Sequence, residues 1–172
     1  PAVVNAAKEA ATNLSKGRGQ APALPLAILI CLEEVVGDEQ KPLYHRAFAW
    51  YRLFRHWAAL RWDDTQGLVP ASLQRRARGV YGLIERTKTS GPGKKLAVLA
   101  VFESEEAFVK KPWLDLGLSL WVDGPLSFPR DFFLPLPTPD FSGALRQRAR
   151  YSDSAGFSRS LFASIKTTEG ER

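Results

Sequence analysis

The segment from 42 to 62 constrains the fold most, because Ala47, Trp50, Tyr51, Phe54, Trp57 and Ala58 recur there at helical spacing. A stripe that carries two indoles, a phenol and a phenyl ring needs a large apolar surface to cover it. The spacing therefore predicts a long helix over 42–62 at the centre of a core, with Arg52, Arg55 and His56 off the buried stripe. The chain has 172 residues, 45% of them apolar, which suffices for one globular domain or most of one.

A second apolar run, 24–36, predicts another core helix, ended by Gly37 and the polar Asp38-Glu39-Gln40 turn. Its first half follows Lys16 and Arg18 and imitates a secretory signal, but it lies inside the chain, contains Pro25 and runs into Glu33 and Glu34. It also falls well short of the ~20 apolar residues that cross a bilayer. Cys31 is the single cysteine, so there is no internal disulfide framework and no multi-cysteine metal site, and the chain reads as intracellular.

Further along, two β-type runs, 80–86 and 96–102, flank Gly91-Pro92-Gly93 and predict a hairpin with Lys88, Lys94 and Lys95 at its tip. A helix is expected over 105–121, restarted at Pro112, with Trp113, Leu116, Leu120 and Trp121 inward. Five prolines make 124–141 an extended connector in which Phe132, Phe133 and Leu134 are pinned to the core. Two short helices, 142–150 and 154–166, follow. The expected class is mainly α with a small antiparallel β-hairpin or sheet. The expected organisation is a partly flexible arm over 1–22, a main body over 23–122, a Pro-rich connector over 123–141, and C-terminal helices of the same domain over 142–172.

Several chemistries are excluded by the residues. Gly91-Pro92-Gly93-Lys94-Lys95 is no phosphate-cradling P-loop, because Lys88 stands where the first glycine is required and no Ser or Thr follows the lysine. His45 and His56 have no acidic or cysteine partner at metal-ligand spacing, and neither a G-x-S-x-G elbow nor a thiol–histidine motif occurs. No cofactor, metal or small-molecule substrate is expected.

What remains is charge. The net formal charge is +6, concentrated in the middle of the chain at Arg46, Arg52, Arg55, Arg61, Arg75, Arg76, Arg78, Arg86, Lys88, Lys94 and Lys95. A helix and a hairpin that both present cations can contact successive phosphates of a nucleic-acid backbone, each contact adding salt-sensitive affinity. The alternative is a solvated basic face, or one that meets an acidic protein.

The run Leu60-Arg61-Trp62-Asp63-Asp64, closing an amphipathic helix, resembles the L-R-W-x-D tail of the first box of tyrosine recombinases, the phage-integrase-like DNA breaking-and-rejoining enzymes. Arg86-Thr87-Lys88-Thr89 resembles that family's hairpin lysine. The stretches Ser90-Gly91-Pro92-Gly93-Lys94-Lys95, Pro112-Trp113-Leu114 and Asp131-Phe132-Phe133-Leu134-Pro135 resemble recombinase-like reading frames of eukaryotic mobile elements. The resemblance covers roughly 24–165 and implies the first half of a recombinase catalytic domain, acting on double-stranded DNA, in the nucleus if the source is eukaryotic, with self-association on the duplex.

It further implies Lys88 as the general acid that protonates the leaving 5′ oxygen, and an arginine that neutralises the transferring phosphoryl. Counting back from Leu60 puts that arginine at 53, which is Leu53; Arg52 and Arg55 flank it, and Arg55 is the preferred candidate. Arg61, Arg75, Arg76, Arg78, Arg86, Lys94 and Lys95 are the expected DNA contacts. The second box, H-x-x-R, is missing from these residues, and no tyrosine matches the nucleophile. The remaining boxes either lie beyond Arg172 in a longer protein or have been lost from a degenerate copy that keeps DNA affinity without chemistry.

Overall fold

A computed structural model describes residues 24–87, 92–94 and 97–169, with side chains through Ile165. The architecture is mainly α with small antiparallel sheets, as the apolar patterning implies. Helix α1, Leu26–Val36, leads through a turn at 37–41 to α2, Leu43–Trp57. A short helix α3, Trp62–Gln66, and a 3-10 turn, Pro70–Ser72, precede β1, Gln74–Arg76, and β2, Gly79–Ile84. Then come β3, Leu99–Ser104, α4, Trp113–Val122, β4, Pro135–Pro137, β5, Ala144–Arg148, and α5, Tyr151–Glu169.

Helix α2 is the axis of the core. Its predicted stripe is buried at Ala47, Trp50, Tyr51 and Phe54, but Tyr44, Phe48, Ala49 and Leu53 are buried as well, so the helix is covered on almost every side. Trp57, expected inward, is exposed, with Phe108 and His56 as its ring partners among the described residues. Helix α4 crosses α2 closely because Gly117 has no side chain. A Cβ there would sit 2.0 Å from the Trp50 indole. The buried indoles are satisfied across this contact, Trp50 Nε1 donating to Leu114 O at 3.0 Å and Trp121 Nε1 to Ala47 O at 3.2 Å.

The first sheet has the order β1-β2-β3, both pairs antiparallel, with Tyr81 opposite Phe102 and Gln74 on its other side. Alternation along β2 turns Val80, Gly82 and Ile84 inward. On β3 the inward positions are Val101 and Glu103, and burial raises the Glu103 carboxyl to about 7. The hairpin strands are 79–84 and 99–104 rather than 80–86 and 96–102, and β1 joins them as a third strand that the patterning does not anticipate.

Three other expectations are corrected. The helix over 42–62 ends at Trp57 in a Schellman motif: Ala59 takes the left-handed conformation at φ 51°, Ala59 N donates to His56 O and Leu60 N to Arg55 O. Leu60-Arg61 therefore does not close α2; Arg61 is the cap from which α3 starts.

The helix expected over 105–121 occupies only Trp113–Val122. Residues before it are held in irregular structure by the buried Glu33, whose Oε2 accepts from Phe108 N at 2.9 Å and Val109 N at 3.0 Å. The helix expected over 142–150 is instead strand β5, paired with β4. The second C-terminal helix, placed over 154–166, spans Tyr151–Glu169.

The Pro-rich connector does pack Phe133 and Leu134 into the core. Arg130 staples it there, with Nε donating to Phe133 O and Nη1 to Leu126 O and Phe128 O. Its guanidinium lies 4.5 Å from the Phe128 ring centroid, and burial lowers its pKa to about 10. Helix α5 returns across α2, where Phe157 meets Tyr44 and Phe48 edge-on and His45 Nε2 lies 3.2 Å from Ser160 Oγ. The arm expected over 1–22 lies outside the described residues. Among the described residues no helix is long and apolar enough to cross a membrane.

Candidate nucleic-acid interface

The arginines divide into committed and uncommitted groups. Arg75, on β1, pairs with Glu105 and with Asp115 of α4, and its Nη1 also donates to Gly79 O at 2.9 Å and to Arg76 O, so it fastens the sheet to the helix layer. Arg76 donates to Gln74 Oε1 at 2.8 Å and lies 6.0 Å from the Tyr81 ring centroid. Arg78 sits exposed at the β1–β2 turn with φ 66°, where its carbonyl accepts from Glu105 N. Lys94 folds back to donate to Thr87 O. Lys88 and Lys95 lie outside the described residues.

Arg61, Arg86 and Arg148 behave differently. They arrive from the start of α3, the end of β2 and the end of β5, and together with Asp63, Asp64 and Thr87 they line one cleft of about 530 Å³. Among the described residues none of the three arginines has an ion-pair partner. Asp64 Oδ2 accepts from Arg61 N at 3.2 Å, where it caps α3.

The wall is built by close backbone approach. Gly67, directly after α3, lies against Arg86, and a Cβ on it would come within 2.1 Å of Arg86 O. This contact, with Glu85 N donating to Gly67 O at 3.0 Å, holds the end of β2 beside α3.

Arg52 and Arg55 face a separate cavity of about 390 Å³ on the other side of Leu60, which also contains His56 and Tyr151. Arg55 is tethered by Nε to Leu60 O at 3.1 Å. Arg52 is half-buried, and desolvation, followed by the neighbouring Arg55 charge, lowers its pKa. The structure thus brings Arg61 and Arg86 to Thr87, the residue before Lys88, and places Arg52 and Arg55 elsewhere.

Arg148 is the member that the residue patterning misses. Its signal is the recurrence of arginine at 146, 148 and 150, a period of two that suits a strand rather than the helix expected there. Among the described residues no group of His, Cys, Asp and Glu could hold a metal ion. No family model, no curated protein and no solved structure matches the chain.

Proposed function

We propose that this chain is a duplex-DNA-binding domain of the tyrosine-recombinase-like kind, gripping the phosphate backbone with Arg61, Arg86 and Arg148. In a full-length parent it would support strand cleavage and rejoining. The observation that carries the reading is that three arginines from three separate chain segments, without ion-pair partners among the described residues, line one cleft, where Asp63 and Asp64 are the opposing charges.

Guanidinium forks match phosphate bidentately and remain charged at every working pH, which suits them to neutralise a backbone and to stabilise charge developing on a transferring phosphoryl group. Arg61, rather than Arg52 or Arg55, is then the arginine that acts beside Lys88, because it shares its cleft with Thr87. Lys88 keeps the role of proton donor to the leaving oxygen.

The test is binding of a short fluorescent duplex by anisotropy as salt is raised. Three phosphate contacts give a log–log slope of about −2.7. Replacing all three arginines by alanine is expected to abolish most of that dependence. Equal binding by the triple variant, or no binding of any duplex at low salt, overturns the proposal.

A further inference from the structure

Tyr151 opens helix α5 with 65% of its surface exposed, an unusual degree for a ring that is held in place. It stands perpendicular to Trp62 at 5.7 Å between centroids, and Trp62 stands perpendicular to the buried Tyr51 at 6.3 Å. The ring is therefore anchored through two aromatic contacts to the core while most of it remains open to solvent.

The cavity beside it contains Arg52 and Arg55, three residues apart on α2, with His56 at the exposed side. Among the described residues no carboxylate lines it. The nearby Asp153 is occupied by the backbone, its Oδ2 accepting from Arg150 N at 2.8 Å. Arg52 makes no hydrogen bond or ion pair among the described residues, and both burial and Arg55 work against its charge. Arg55 is held by its Nε on Leu60 O, and neither guanidinium has a carboxylate partner among the described residues.

A fixed, open aromatic ring beside two cations that form no ion pair among the described residues matches the two halves of a nucleotide, a planar base and a phosphate. Bases inside a duplex already stack on one another, so an exposed tyrosine finds a free face on an unpaired base or a duplex end. Leu60, which lines this cavity, is followed in the chain by Arg61, which lines the cleft.

We propose that the Arg52–Arg55–His56–Tyr151 pocket takes an unpaired nucleotide of a DNA strand, its base on Tyr151 and its phosphate at Arg52 and Arg55, while the adjoining duplex lies in the Arg61–Arg86–Arg148 cleft. The placement of the duplex rests on the DNA-binding reading above; the nucleotide pocket does not.

The experiment compares a blunt duplex, the same duplex with a short unpaired extension of either polarity, a single-stranded oligonucleotide, and adenosine monophosphate as competitor. One extension polarity is expected to tighten binding about five- to tenfold through stacking and the added phosphate contact. Tyr151→Ala should remove that gain and leave blunt-duplex affinity as it was. Tyr151→Phe should keep the gain, as a purely stacking role requires, and Arg52→Gln should reduce it.

No gain from either extension, or a gain that survives Tyr151→Ala, overturns the proposal. Binding of adenosine monophosphate with no preference for the extended duplex would assign the pocket to a free nucleotide and overturn the strand version. If the blunt duplex fails to bind but the oligonucleotide binds through Tyr151, the duplex reading falls and this one stands.

Discussion

The aromatic axis around α2 and the basic rim around α3 are built from adjacent residues on opposite rules. On the axis the polar atoms of the large aromatic side chains are committed: the Trp50, Trp113 and Trp121 indoles each donate to a backbone carbonyl, and the Tyr44 hydroxyl donates to Pro135 O. On the rim, Arg61, Arg86 and Arg148 form no ion pair among the described residues. Buried polar groups left unpaired are costly, so the axis is organised for stability, whereas unpaired surface cations contribute little to it and are available to a ligand.

That contrast predicts stability effects on the axis and binding effects on the rim. The largest loss should come from Trp50→Ala, which empties the α2–α4 contact and leaves Leu114 O without its donor. About 3–5 kcal/mol of destabilisation is expected by denaturant unfolding. A loss below about 1 kcal/mol would mean that the contact is not part of the core.

Next is the buried Glu103. Its carboxyl is raised by burial to about 7 from an ordinary 4.5, so between those values the folded protein holds a proton that the unfolded chain has released. The stabilisation is present below the unfolded pKa and is lost as pH rises through the folded one. Melting temperature should therefore fall between pH 5 and pH 8 by an amount equivalent to roughly 2–3 kcal/mol at most. Glu103→Gln should flatten the profile, and an unchanged slope in that variant would show that other groups cause it.

A smaller effect of opposite sign is expected at the boundary between the two regions. Ala59 closes α2 in the left-handed conformation at φ 51°, which costs a residue with a Cβ. Ala59→Gly should stabilise the protein by about 0.5–1 kcal/mol after the entropy of glycine in the unfolded chain is set against the relief. Destabilisation would contradict the Schellman ending and favour a helix continuing into Leu60-Arg61.

Ala59 also shows where the sequence stops being legible. Alanine is a strong helix former, so nothing local marks it as the end of α2, and the apolar spacing extends the expected helix to 62. The aromatic stripe was readable because its period survives in the letters. The strand at 144–148 was missed because its pairing partner, β4, lies in a proline-rich stretch with little strand propensity.

The arginines could not be sorted at all from their order. Arg75 looks as free as Arg148 until Glu105 and Asp115, 30 and 40 residues away, are brought against it by the fold. Likewise residue order groups Arg61 with general DNA contacts, and Arg52 and Arg55 with catalysis. Only the packing of Gly67 on Arg86 puts Arg61 beside Thr87.

The most direct test of the central claim compares two single substitutions, Arg148→Ala and Arg75→Ala, by the salt dependence of duplex-DNA binding and by thermal melting. The account predicts that Arg148→Ala lowers the salt slope by about one with no change in melting temperature. Arg75→Ala should leave the slope intact and cost under about 1 kcal/mol of stability, as expected for an exposed ion pair. The reverse pattern, with Arg75 carrying the slope and Arg148 none of it, would contradict the account and move the interface from the α3 cleft to the sheet.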